Sequence, residues 1–124
     1  MGFGSQAEYG NKNRTVKEED ILTPTTKYGE SKVKCLHESI ELCNKLGIGH
    51  VWLRLFDFYG PHDSPNWLIP YVIKKSLSSE NIDLTPCDQH WDFLYIDDLA
   101  NAIESIFKEN CVGIYNVGSG QAVK

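Results

Sequence analysis

PTTKYGESKVKCLHESIELCNKLGIGHVWLRLF, residues 24–56, decides the fold. Its first part predicts a helix over 24–46. Thr23 or Thr25 can cap that helix, and Pro24 suits a first turn, where its missing N–H costs nothing. Val33, Leu36, Ile40 and Cys43 follow the i, i+3, i+7 stripe of an apolar helix face. Gly47 then suits the left-handed residue that ends a helix. VWLRLF at 51–56 is a short β-rich run and reads as a buried parallel strand.

The rest of the chain continues this alternation. Residues 3–5 look like the stub of a strand. Residues 6–23 are polar, with Gly10, Asn11 and Asn13, and read as a surface loop; Glu18, Glu19 and Asp20 form a solvated charge run. Residues 59–65 form a loop, and 67–77 are helical by pattern with Pro70 in or near the first turn. Short strands are expected over 82–84 and 92–96. Asp97 caps a helix over 98–109, whose apolar face is Leu99, Ala102, Ile103 and Ile106. A final strand over 113–118 enters a glycine turn. Strands alternating with helices mean α/β.

Composition narrows the function classes. The 124 residues carry 12 Lys and Arg against 17 Asp and Glu, a net charge of −5. No basic cluster is long enough for nucleic acid. No apolar run reaches the ~20 residues that span a bilayer, and no signal-peptide pattern is present, so the expected location is cytoplasmic. Cys35, Cys43, Cys87 and Cys111 then read as free thiols. Cys87 with His90, and Cys35 with His37, are half-sites without a second pair at zinc spacing, so no metal is expected.

Within the helix, Tyr28 and Lys32 stand four residues apart, on one face. A phenol that acts as a base at neutral pH needs its pKa lowered by about 3 units, roughly 4 kcal/mol. A neighbouring ammonium supplies part of that by favouring the phenolate. Ser5, upstream, can hold a substrate oxygen that gains or loses a proton. Alone, such a tyrosine–lysine pair is an ordinary solvated pair.

Its company changes that reading. GSQAEYG (4–10), TPTTKYGESK (23–32), RLFDFYGP (54–61), WDFLYIDDLANAI (91–103) and YNVGSG (115–120) occur in this order. The series resembles the extended short-chain dehydrogenase/reductase family, the NAD-dependent nucleotide-sugar epimerases and dehydratases. The resemblance implies the second half of a Rossmann-like doubly wound parallel sheet plus part of a small substrate-binding lobe. It divides one incomplete domain into a catalytic segment, 1–60, and substrate-lobe and returning sheet elements, 61–124. It also implies catalytic roles for Ser5, Tyr28 and Lys32, with Tyr28 and Lys32 also holding the nicotinamide ribose. Substrate contacts fall to Ser5, Asp57, Asn66, Trp67 and Trp91. The partners implied are a nucleotide sugar and a second copy of the chain, met through the 24–46 helix.

Departures from the family pattern matter. No G-x-G-x-x-G turn for the dinucleotide pyrophosphate occurs. The chain is therefore expected to be an internal or C-terminal-half fragment of a longer enzyme. NAD or NADP belongs to that parent, and the fragment binds neither tightly. Gln6 and Ala7 follow Ser5 where sugar 4,6-dehydratases carry Asp-Glu as acid and base, which disfavours a dehydratase. Asp57 replaces an asparagine, Trp91 replaces a phosphate-gripping arginine, and Asn66 is shifted by one because Trp67 precedes the leucine. A 4-epimerase is the expected activity. A 4-keto sugar reductase and a non-catalytic binding or dimerising derivative are the alternatives.

Overall fold

A computed structural model of the chain describes residues 1–12 and 14–124; the loop expectation at Asn13 lies outside the described residues. In chain order the elements are β1 (Gly2–Ser5), a 3-10 turn (Gln6–Glu8), α1 (Lys27–Leu46), β2 (Val51–Leu55), β3 (Asp57–Tyr59), α2 (Leu68–Leu77), β4 (Phe93–Tyr95), α3 (Ile96–Lys108) and β5 (Gly113–Val117). They fall into two compact units. Met1–Phe56 and Ala102–Val117 form the first, and Asp57–Asn101 and Gly118–Lys124 the second.

In the first unit β1, β2 and β5 make a parallel sheet in the order β1-β2-β5. Ser5 pairs with Leu55, which pairs in turn with Val117. β2 is the middle strand, and its residues from Val51 to Arg54 are buried. A strand covered on both faces reads as a run of large apolar residues rather than as alternation. Arg54 is the exception, and it brings its own partner. Helix α1 lies against β1 and the 3-10 turn. Leu36 is buried, and Val33, Ile40 and Cys43 are half-buried, as their stripe requires. Gly47 ends α1 in the left-handed region at φ 66°.

Two details of α1 differ from expectation. The cap is Thr26, whose hydroxyl oxygen accepts the Gly29 N–H at 3.1 Å, so the helix starts at Lys27 and Pro24 stays outside it. Thr23 is engaged elsewhere: its hydroxyl donates to the Tyr9 carbonyl at 2.8 Å and accepts from Lys12 Nζ at 3.0 Å.

The second unit is built on shorter elements. β3 and β4 pair in parallel, with Asp57 opposite Phe93. β3 has no counterpart among the expected strands and takes Tyr59 from the expected 59–65 loop; it is three residues long. α2 starts at Leu68 with Pro70 in its first turn. Residues 82–84 are not a strand: the Asp83 N–H goes to the Tyr71 hydroxyl at 3.3 Å, and no β-partner is offered. Asp97 does not cap α3 either; the helix begins at Ile96, and Asp97 and Asp98 both lie in its first turn, where they favour the positive helix end. No helix among the described residues is long and apolar enough to cross a membrane.

Candidate functional site

Ser5 ends β1 in extended backbone and caps the 3-10 turn that follows. Its hydroxyl oxygen accepts the Ala7 N–H at 3.2 Å. Helix α1 comes close to this turn because residue 29 is glycine. A methyl group at Gly29 would stand 2.5 Å from the Ala7 carbonyl oxygen and 3.0 Å from the Pro24 ring. Tyr28 precedes this contact point and is 57% exposed. Lys32, one turn on, shares its face: Nζ lies 5.7 Å from the centroid of the Tyr28 ring. Nζ also donates to the Phe3 carbonyl at 2.9 Å, which fastens α1 to β1. The expected trio of Ser5, Tyr28 and Lys32 therefore lies within one unit, on adjoining elements.

The Tyr28 phenol is open to solvent and has an ammonium next to it. Lys32 commits one N–H to Phe3, and its other donors remain uncommitted among the described residues.

Beneath Ser5 lies a polar knot that sequence reasoning missed. Glu8 and Arg54 are 0% and 2% exposed, and Arg54 Nε donates to Glu8 Oε2 at 2.8 Å. The other carboxylate oxygen accepts the Ser5 N–H and the Trp52 indole N–H, each at 3.0 Å. Arg54 Nη1 donates to the Tyr9 hydroxyl at 2.7 Å, and that hydroxyl donates to Asn116 Oδ1 at 2.7 Å. Burial pushes the Tyr9 phenol up, against the lowering effect of Arg54. Two signals could have disclosed the knot. Ser5 and Glu8 have capping-box spacing, and a lone arginine inside a buried strand demands a counter-charge.

The other candidates belong to the second unit. Asp57 opens β3; burial pushes its carboxyl up, and the nearby charge of Asp92 pushes the same way. Asn66 and Trp67 sit at the start of α2, with Trp67 66% exposed. Trp91 stacks on Phe93 at 6.3 Å, and Phe93 meets Tyr59 edge-on at 6.5 Å. Asp92 accepts the Ser119 and Gly120 N–H groups at 2.6 and 2.9 Å, so it pins the glycine turn. Lys75 is paired with Glu80, so it is an engaged surface lysine. A groove of about 600 Å³ runs past Tyr59, Pro61, Ile69, Ile73, Leu77 and Tyr95. The four cysteines are free thiols, and no group of three or more His, Cys, Asp or Glu among the described residues is placed to hold a metal.

Comparison with known proteins bears on this geometry. The model of the NAD dependent epimerase/dehydratase family matches residues 2–118. A CDP-abequose synthase from Salmonella muenchen is 44% identical over 75 residues, 58% of this chain and 26% of that protein. A dTDP-D-glucose 4,6-dehydratase from Dictyostelium discoideum is 28% identical over 109 residues, covering 86% of this chain and 25% of that one. Among solved structures, a UDP-N-acetylglucosamine 4-epimerase from Methanobrevibacter ruminantium M1, in complex with UDP-N-acetylmuramic acid, superposes with a TM-score of 0.88 at 28% identity. That match covers 98% of this chain and 41% of the solved one. The chain thus spans well under half the length of these relatives.

Proposed function

This chain belongs to the NAD-dependent epimerase/dehydratase family, and we propose that the protein carrying it is a nucleotide-sugar 4-epimerase. The observation that carries the reading is the placement of Tyr28 and Lys32 on one face of α1, with the first turn of that helix against the turn capped by Ser5. Tyr28 takes the proton of the sugar C4 hydroxyl and returns it. Lys32 holds the nicotinamide ribose. Ser5 donates a hydrogen bond to the same sugar oxygen. NAD, when bound, supplies the two-electron partner for the oxidation and reduction at C4. Gln6 and Ala7 supply no acid–base pair for water elimination, which supports epimerisation over dehydration. Asp57, Asn66, Trp67 and Trp91 are the proposed substrate-side residues. Trp91 offers a stacking face for a base or sugar in place of a phosphate-binding arginine. Self-association through α1 completes the proposal, supported by the exposed Leu42 and Leu46 on that helix.

The experiment is turnover of UDP-, dTDP-, GDP- and CDP-sugars by the full-length protein. Epimer formation without net consumption of NAD(P)H is expected. Stoichiometric NADPH consumption would instead mean a 4-keto reductase, and no turnover of any of them would favour a binding derivative. Tyr28→Phe should lower turnover by at least about 10²-fold, the lower end of general acid–base catalysis, with sugar-nucleotide affinity kept. A variant that retains most turnover would overturn the mechanism.

A further inference from the structure

We propose that Glu8 and Arg54 are positioning residues for Ser5, a buried ion pair whose task is to aim the serine hydroxyl. The inference rests on the catalytic reading of Ser5 given above. It is carried by where the pair is anchored. The Glu8 carboxylate closes a capping box on Ser5, taking its N–H at 3.0 Å, while its charge is met by Arg54. It thereby fixes the backbone of the residue that bears the hydroxyl. The indole N–H of Trp52 shares the same oxygen at 3.0 Å, and Arg54 Nε holds the other at 2.8 Å, so the carboxylate cannot rotate. Arg54 is itself held by the Tyr9 hydroxyl at 2.7 Å and the Glu18 carbonyl at 2.9 Å.

The backbone leaves room for nothing else. A methyl group at Gly4 would stand 2.1 Å from Glu8 Oε1 and 2.2 Å from Trp52 Nε1. The strand before Ser5 is thus closed down on the carboxylate itself. The hydroxyl is oriented from the other side. Its oxygen accepts the Ala7 N–H at 3.2 Å, and among the described residues its proton is committed to no acceptor. A serine held in this way presents a donor in one direction, as a residue that must hydrogen-bond a reacting oxygen requires.

The test is a double-mutant cycle in the full-length protein, on the sugar nucleotide it turns over. Glu8→Met, which leaves the Ser5 N–H without its acceptor, should lower kcat by about 10²-fold, the cost of a misplaced reacting group, with KM little changed. In a Ser5→Ala background the same substitution should cost almost nothing further, because there is no hydroxyl left to aim. A merely structural role predicts equal losses in both backgrounds, and that result, or an unchanged kcat, overturns the proposal. Where Glu8→Met alone does not fold, the paired replacement Glu8→Met with Arg54→Met removes the acceptor of the Ser5 amide without stranding a charge. It is read in the same cycle with the same expectation. Failure of the functional reading looks different: the wild-type protein then turns over no sugar nucleotide at all, which removes both claims together. Turnover with additive losses removes only this one.

Discussion

The two units of the chain solve opposite problems. In the first, β2 is buried from Val51 to Arg54, and a charged pair is sealed beneath Ser5 with every buried side-chain polar group among the described residues partnered. In the second, the paired strands are three residues each and Leu99 is the buried apolar residue. The contrast follows the proposed labour of each. Proton transfer needs atoms held to a fraction of an ångström, which a dense core with fixed hydrogen bonds provides. Recognition of one sugar nucleotide among many needs a surface that can change without collapsing the fold, and short elements with half-buried aromatic residues provide that.

The contrast breaks most readily at the buried pair. Glu8→Ala leaves Arg54 charged and alone in the core, and unfolding in urea should show a loss of about 3–5 kcal/mol. Next come two leucines. Leu53→Ala, at a fully buried position, should cost about 2–5 kcal/mol. Leu77→Ala in the second unit should lower stability by no more than about 0.5 kcal/mol. Equal effects would erase the distinction. Gly29→Ala drives a methyl group into the Ala7 carbonyl and should cost about 1–3 kcal/mol. The same variant should slow turnover, since it pries Tyr28 from the Ser5 turn.

Asp57→Asn gives the smallest change, and it is read through pH. The folded carboxyl has a raised pKa, so the native state binds the proton more tightly than the unfolded chain does. Stability therefore falls as pH rises from the unfolded value, about 3.9, through the folded one. An asparagine side chain at this position carries no such penalty. The variant should be the more stable at neutral pH, with the gain vanishing below the unfolded pKa. A difference that persists unchanged into acid would mean that packing, and not ionisation, separates the two side chains.

Helix α1 and strand β2 are legible in the sequence because their signals are long. An apolar stripe over several turns, a terminal glycine and a continuous apolar run each point one way. Only the cap goes astray, because three threonines compete for it. Thr23 loses that competition to a contact with Tyr9, which no local pattern announces. The second unit is less legible for a physical reason. Three-residue runs carry little periodicity: β4 falls within the expected 92–96 strand, but β3 has no expected counterpart and residues 82–84 form no strand. At the site, Tyr28 and Lys32 can be found because a helix brings residues four apart together. Arg54 meets Glu8 across 46 positions of sequence, so no local pattern joins them, though the Ser5–Glu8 capping-box spacing and a lone arginine in a buried strand each point to one half.

The strand order carries a consequence for how the protein is made. β2 is flanked by β1 from the start of the chain and by β5 from residues 113–117, while residues 57–101 belong to the other unit. The first unit is therefore discontinuous. On a ribosome, β2 emerges with one edge satisfied and must wait until a stretch of the other unit has been made before its second neighbour arrives. During that interval the edge is a row of unpaired amides and carbonyls, open to any passing strand. Pairing of β2 with β5 is thus the sequence-distant step in assembling this sheet, closing across residues 57–112.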